Sequence, residues 1–127
     1  LIDTHYAFAL SGAPSRLRQS EWDVLRGQIK LHVSAVSIWE IRLKWGAFHR
    51  SGARKGPVDP PHALETLTRL GLVLLPLTAA HAATVLQTPI AHSDPFDELL
   101  LTQAQSEGLR LFTRDRLLRS HPLAISA

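Results

Sequence analysis

Four carboxylates lie far apart in this chain, but each has a similar position relative to a short apolar run. Asp3 and Asp115 come at or just after the end of such a run. Glu40 follows another apolar run within two helical turns. Asp97 opens a predicted helix that leads into a further apolar run. In an open α/β sheet the strand ends form the crevice in which ligands bind, so these acids can meet there. Their mutual repulsion must be relieved by protons or by a cation, and an all-oxygen cluster suits Mg²⁺ or Mn²⁺.

Each acid also has a purely structural interpretation. Glu40 lies four residues before Lys44 on a predicted helix and alone is explained by a surface ion pair. The run Asp94–Asp97 matches a helix start in which the first acid caps the helix and a proline follows it. Asp115 suits a turn or a cap. Asp3 is harder to explain in this way, because a carboxylate buried at the end of a central strand needs a cation or several donors.

The composition sets the class of protein. At 127 residues, 45% of them hydrophobic, the chain is predicted to form a single domain over 1–127 with a real core. A net charge of +3 and a pI near 10.0 fit an anionic partner such as nucleic acid. No cysteine is present, which is consistent with a cytoplasmic location. The longest apolar stretch, 70–77, is too short to span a membrane, so we expect a soluble protein.

Apolar runs alternate with helical patterns along the chain, which predicts an α/β fold. The central sheet is expected to be mostly parallel, with about five short strands flanked by helices. The predicted strands are 1–3, 29–34, 72–75, 109–113 and 123–126. The predicted helices are 4–10, 16–28, 35–45, 62–70, 79–87 and 95–107, with a short helical turn at 116–119 and a glycine- and proline-rich loop at 48–61.

Four segments of the chain resemble the signature segments of PIN-domain proteins, in the order and at the distances usual for that family. They are Leu1-Ile2-Asp3-Thr4-His5, the run 33–41 (VSAVSIWEI), the run 92–100 (HSDPFDELL) and Phe112-Thr113-Arg114-Asp115. The match is closest to the VapC-type toxins of bacterial toxin–antitoxin pairs. The resemblance spans nearly the whole chain and implies a single PIN-like domain.

The resemblance also implies roles for individual residues. Asp3, Glu40, Asp97 and Asp115 would hold the catalytic divalent metal, Mg²⁺ or Mn²⁺. Asp94 would be an auxiliary acid or a cap, and Thr113 would orient Asp115 or a metal-bound water. One departure is Glu98, which stands where the subfamily usually has a basic residue.

The chemistry expected from these residues is hydrolysis of RNA by metal-activated water. The chain has neither a Ser/His or Cys/His pair in a matching context nor a Gly-rich phosphate loop. Arg114 and Arg116 flank Asp115, and Arg54 and Lys55 lie in the glycine-containing loop, so these four are candidates for RNA backbone contacts. His5 and His92 lie beside two acids, where helix-end hydrogen bonding and proton transfer are the alternatives.

The resemblance implies a toxin endoribonuclease that acts on transfer or ribosomal RNA, forms a homodimer and is neutralised by a cognate antitoxin protein. Two alternatives keep the same fold: a non-toxin RNA-processing nuclease and a catalytically silent binding module. A phosphatase of the haloacid dehalogenase type also starts with an Asp at a strand end. That chemistry needs a second Asp two positions after Asp3, where this chain has His5.

Overall fold

The strands of the computed structural model, which describes residues 1–28, 30–56 and 58–127, form one parallel sheet. Its strands are β1 (His32–Ser34), β2 (Val73–Leu75), β3 (Leu111–Phe112) and β4 (Ala124–Ile125). β1 pairs with β2, and β3 pairs with β4. Ile2 forms parallel bridges to Val33 and to Phe112, which places it between the two pairs. The predicted parallel α/β sheet is confirmed, with its first strand reduced to Ile2.

The spatial order β2, β1, Ile2, β3, β4 creates a crevice beside the central segment. From Ile2 the chain goes first to β1 and β2 on one side and later to β3 and β4 on the other. In open parallel sheets this reversal leaves a crevice at the carboxyl ends of the strands. The Asp3 N–H donates to the Phe112 carbonyl at 3.0 Å. Residues that follow Ile2 and Phe112 therefore share one edge of the sheet.

Helices cover both faces of the sheet. They are α1 (Thr4–Gly12), α2 (Gln19–Arg26), α3 (Ala35–Trp45), α4 (Pro60–Arg69), α5 (Ala79–Ala83) and α6 (Pro95–Glu107). Successive side chains of a strand point to opposite faces, so Leu1 and Ile2 enter different core clusters. Ile2 packs with α1 and α4, whereas Leu1 packs with α6. No helix in the described ranges is both long enough and apolar enough to cross a membrane.

The bounds of α3 and α6 agree with the sequence prediction because strong local signals mark their ends. The Ser34 hydroxyl accepts the Val36 N–H at 2.9 Å and caps α3. Asp94 caps α6, and Pro95 occupies the first helical position, where its missing N–H costs nothing. Gly108 ends α6 with a φ of 65°, a left-handed conformation that suits glycine.

Two predicted helices are shorter than expected. The helix predicted for 16–28 begins only at Gln19, after a 3₁₀ turn at Pro14–Arg16. It starts there because the Glu21 carboxylate accepts the Arg18 N–H at 2.8 Å. The helix predicted for 79–87 ends at Ala83, where Thr84 turns the backbone to an extended conformation.

The remaining differences lie at the ends of elements. The predicted strands 29–34 and 109–113 shorten to β1 and β3, and 116–119 forms turns rather than a turn of helix. The predicted loop 48–61 ends early because Asp59 caps α4. Ile29 of the predicted second strand and Pro57 of the predicted loop lie outside the described residues.

Candidate active site

Asp3 is fixed at the end of the central strand segment. Its Oδ1 accepts the Tyr6 N–H at 3.1 Å and so caps α1. The residue is only 4% exposed, and its Oδ2 lies 3.9 Å from Nδ1 of His5. This carboxylate raises the pKa of His5 above its ordinary value. Asp3 thus has a defined orientation in which the helix cap uses one of its two oxygens.

Glu40 lies on α3 and is held by the residue next to Asp3. The Thr4 hydroxyl donates to Glu40 Oε1 at 2.7 Å. Burial raises the pKa of Glu40, and Asp94 adds to the rise, although the Thr4 hydrogen bond and the Lys44 charge oppose it. The surface ion pair with Lys44 is not formed among the described side chains. Glu40 therefore belongs to the edge of the sheet where Asp3 lies.

Asp97 and Asp115 converge with His92. One ligand atom from each of these three side chains lies within 4.8 Å of the other two. Asp97 Oδ2 is 3.4 Å from His92 Nε2. Burial, followed by the charges of Asp94 and Asp115, raises the pKa of Asp97 to about 6. These three side chains form a group that could hold a metal ion. In the described residues Asp3 and Glu40 lie outside this close group.

His92 combines a structural contact with a position beside the acids. Its Nδ1 accepts the Asp94 N–H at 3.2 Å, so the neutral ring carries its proton on Nε2. That Nε2 atom is buried and has no hydrogen-bond partner within the described chain. It faces Asp97 Oδ2 instead. His92 therefore uses Nδ1 for hydrogen bonding at the helix end, one of the two roles considered from the sequence. Its Nε2 points toward the acids.

Asp94 and Thr113 support the acids from two sides. Asp94 Oδ1 accepts the Phe96 N–H at 2.9 Å, so this exposed carboxylate caps α6 while its charge acts on Asp97. Thr113 is fully buried, and its hydroxyl accepts the Asp115 N–H at 3.0 Å. Asp115 Oδ1 in turn accepts the Leu117 N–H at 2.9 Å. These contacts fix the backbone and one oxygen of Asp115.

The four basic residues proposed to contact RNA differ in their surroundings. The Arg114 guanidinium donates to Glu21 Oε2 at 2.8 Å, and Arg54 donates to the Trp45 carbonyl at 2.6 Å. Arg54 also lies over the Trp45 ring, 4.2 Å from its centroid. Arg116 is exposed on the turn after Asp115, and Lys55 is exposed in the loop before α4.

Glu21 is completely buried and was not among the site residues predicted from the sequence. The Tyr6 hydroxyl and the Arg18 guanidinium donate to its Oε1, each at 3.0 Å, and Arg114 donates to its Oε2. Burial acts to raise the pKa of Glu21, but the hydrogen bonds from Arg18 and Tyr6 and the Arg114 charge outweigh it and lower the pKa. The available signal was helical spacing, because Glu21 lies on the face of α2 that also carries the buried Leu25.

Comparison with known proteins shows the family of this chain. The sequence profile of the PIN domain matches residues 1–122. The chain belongs to the PIN domain family. It is also 33% identical over 124 residues to Ribonuclease VapC22 of Mycobacterium tuberculosis (strain ATCC 25618 / H37Rv). That alignment covers 95% of this chain and 90% of the relative. The resemblance to VapC-type PIN domains noted in the sequence is confirmed.

The acids of this PIN domain fall into two neighbouring sets. Asp3 and Glu40 are linked through Thr4, and Asp97 and Asp115 face each other beside His92. Both sets belong to elements that begin or end at the carboxyl edge of the sheet, and Glu40 contributes to the raised pKa of Asp97. We call the edge of the sheet that carries Asp3, Glu40, Asp97 and Asp115 the acidic crevice.

Proposed function

We propose that this PIN domain is a divalent-metal-dependent endoribonuclease. The observation that carries the proposal is the convergence of Asp97 and Asp115 within 4.8 Å, in surroundings that raise the pKa of Asp97 to about 6. Two facing carboxylates in a partly buried site are stabilised when a cation binds between them. The similarity to a protein named a ribonuclease supports RNA as the substrate.

The side chains of the acidic crevice fit a hard divalent ion such as Mg²⁺ or Mn²⁺. Their donors are carboxylate oxygens, the ligand type that these ions prefer. In the proposal Asp3, Glu40, Asp97 and Asp115 hold the ion and are the catalytic residues. When bound, the ion would lower the pKa of a water molecule and neutralise charge that develops on the phosphate.

The protein's own contribution is to hold the acids in place before substrate binds. Thr4 restrains Glu40, and Thr113 and the Leu117 N–H restrain Asp115. Such supporting contacts preserve ligand geometry and typically matter 10- to 100-fold, as an order of magnitude, for affinity or activity. Asp94 acts as the auxiliary acid, since it caps α6 and adds negative charge near Asp97.

In the proposed reaction, water attacks phosphorus and the bond from phosphorus to the 3′-oxygen of the preceding ribose breaks. The downstream product then carries a 5′-phosphate, and the upstream product carries a 3′-hydroxyl. The proton released by water is transferred to solvent or to the departing 3′-oxygen. We propose a transfer or ribosomal RNA as the substrate.

An RNA cleavage assay with chelator and variant controls tests this function. Purified protein is incubated with transfer and ribosomal RNA in Mg²⁺, in Mn²⁺ and in excess EDTA, and the product ends are mapped. We expect discrete cleavage with either metal and none in EDTA. Asp97→Asn should lower the rate by at least about a hundredfold, beyond the effect typical of supporting residues.

The matched control is Glu65→Gln, which removes a charge from an exposed ion pair with Arg69 on α4. It should cleave like the wild type. Equal cleavage in EDTA, or full activity of Asp97→Asn, would contradict the metal-dependent nuclease. Binding of RNA without cleavage under every condition would instead favour the silent binding module.

We further propose that the partner is a cognate antitoxin protein that occupies an apolar groove on the chain. The groove has a volume of about 640 Å³ and is lined chiefly by Ile38 and Trp39 of α3, Leu64 of α4 and Leu74 of β2. Trp39 is 47% exposed, and a hydrophobic segment covering it would gain by removing that surface from water. Ile41 of the same helix is fully buried in the core and takes no part in this groove.

The groove is continuous in sequence with the acidic crevice, because Trp39 precedes Glu40. A second apolar space joins Trp39 to Phe96, which precedes Asp97. A partner segment in the groove could therefore place a basic side chain among the acids and block them.

Growth and assembly assays test the toxin proposal separately from the nuclease. Expression alone should slow bacterial growth, and co-expression with a small antitoxin gene adjacent to this one should restore it. Sedimentation should show the homodimer that we propose. An active nuclease that leaves growth unchanged would favour the non-toxin RNA-processing alternative.

A further inference from the structure

A cleft beside the acidic crevice has a basic lining. It has a volume of about 220 Å³ and is bounded by α1 and by residues at and beyond the end of α3. Its charged or titratable lining residues in the described chain are His5, Arg16, Lys44, Lys55 and Arg114. None of the lining residues that the structure describes carries a carboxylate. We call this space the basic cleft.

Three of its cations have no counter-ion among the residues that the structure describes. Arg114 is paired with Glu21, but Arg16, Lys44 and Lys55 take part in none of the ion pairs of the described residues. Lys44 Nζ lies over the Phe8 ring, 5.1 Å from its centroid, at the wall of the cleft. Like charges collected around one space repel each other and create a positive potential there. The ligand class that such a space selects is an anion.

The basic cleft adjoins the acidic crevice through three of its wall residues. His5 lies 3.9 Å from the Asp3 carboxylate. Lys44 is one helical turn beyond Glu40 on α3, and Arg114 directly precedes Asp115. An anion in the cleft is therefore a near neighbour of whatever occupies the crevice. A strand of RNA has a phosphate at every nucleotide, so it can place one phosphate in the basic cleft and a neighbouring phosphate at the acidic crevice.

We propose that the basic cleft binds an RNA phosphate next to the phosphate that is cleaved. This inference rests on the proposed nuclease function and names the subsite that holds the substrate strand. The acids of the crevice repel RNA, and the cations of the cleft offset that repulsion. Contacts to phosphate position a strand without reading its bases, so this subsite acts equally on all sequences.

Lys55 lines the basic cleft, whereas its neighbour in the loop, Arg54, does not. Arg54 donates to the Trp45 carbonyl and lies over the Trp45 and Phe48 rings, which commits its guanidinium to the loop. Lys55 is held by its backbone instead, since its N–H donates to the Ala47 carbonyl at 2.9 Å. Its side chain is exposed at the cleft. Arg16 is likewise exposed, at the end of the 3₁₀ turn.

Binding measurements on Arg16→Gln and Lys55→Gln test the subsite. Both changes are placed in the Asp97→Asn background, so that a short fluorescein-labelled single-stranded RNA of mixed sequence stays intact. Fluorescence anisotropy is recorded over a series of salt concentrations. Each variant should bind severalfold more weakly, and the slope of log affinity against log salt should fall in magnitude by about 0.7 for each phosphate that the protein no longer neutralises. Lys44 is left unchanged because its charge acts on Glu40.

The matched control is Arg69→Gln, which removes the same charge from the exposed end of α4. It should leave both the affinity and the salt slope unchanged. If Arg16→Gln and Lys55→Gln bind like Arg69→Gln while the wild type cleaves RNA, the subsite is overturned and the nuclease stands. If the wild type cleaves no RNA but the two variants still bind RNA more weakly than Arg69→Gln, the cleft remains a site for RNA phosphate, whereas the proposed function fails and with it the claim that the neighbouring phosphate is cleaved.

Discussion

Glu21 and Asp97 are both shielded from solvent, but the two carboxylates have opposite neighbours. Glu21 is completely buried and receives hydrogen bonds from Tyr6, Arg18 and Arg114. Asp97 is less buried and faces other acids, and in the described part of the chain His92 opposes their effect on its pKa. Accordingly the pKa of Glu21 is lowered, whereas that of Asp97 is raised to about 6.

The difference shows that burial by itself does not mark a functional acid. Glu21 has every oxygen occupied by donors from its own chain, so it needs no external cation and its role is structural. Through Arg114, it also fixes the segment that leads to Asp115. Among the described residues no donor of this kind reaches Asp97, so a bound cation would stabilise it. An unsatisfied charge among like charges is the feature that suggests a site.

The largest effect that we expect on stability is from Glu21→Gln. The amide keeps the shape of the side chain but has only one acceptor oxygen, so it cannot satisfy Tyr6, Arg18 and Arg114 together. Losing charged hydrogen bonds at a buried position should lower the free energy of unfolding by about 2 kcal/mol. Urea denaturation at neutral pH measures this change.

Glu65→Gln is the control for that measurement, because Glu65 is exposed and its ion pair with Arg69 should contribute less than about 1 kcal/mol. Equal losses for the two variants would mean that the buried network is no more important than a surface pair. Glu21 could then no longer be described as a structural acid in contrast to Asp97.

The sequence predicted the parts of this molecule that local signals control. The ends of α3 and α6 were predicted because a capping Ser34 or Asp94 stands before each helix and a glycine after it. The end of the helix predicted for 79–87 was not, because nothing in the composition of that stretch forbids a longer helix. In the structure the helix ends at Ala83 because the backbone of Thr84 is extended.

The site could be predicted only in part, because its partners are distant in sequence. The family segments and the strand ends predicted that these acids share an edge, but not that Asp97 and Asp115 form a close group with His92. The place of Arg114 beside Asp115 suggests a role in RNA binding, whereas its hydrogen bond to Glu21, 93 residues away, leaves no trace in the sequence. Glu21 shares a helical face with Leu25, but that spacing does not reveal its distant donors Tyr6 and Arg114.

A smaller effect on stability is expected at Asp94. This acid caps a helix, as a structural residue does, and also lies near Asp97. Its charge is committed to the first turn of α6 by the Phe96 N–H, although it is exposed. Asp94→Ala should lower stability by roughly 0.5–2 kcal/mol through loss of the cap, whereas Asp94→Asn, which still caps, should lose much less. In the RNA cleavage assay Asp94→Asn should retain substantial activity. Asp94→Asn losing metal binding while Asp97→Asn kept it would reverse the roles of these two residues.

The smallest change, and the one with the opposite sign, is expected from Asp97→Asn in the absence of divalent metal. The wild-type carboxylate is repelled by the charges of Asp94, Asp115 and Glu40, so removing its charge relieves repulsion instead of breaking a bond. Thermal unfolding in EDTA should therefore show a gain of roughly 0.5 kcal/mol, the order of magnitude of interactions between partly exposed charges. Adding Mn²⁺ should raise the melting temperature of the wild type, because ligands that bind only the folded state stabilise it, and should raise that of the variant much less. A loss of stability in EDTA as large as that of Glu21→Gln would show that Asp97 is a structural acid after all, and the contrast between the two carboxylates would disappear.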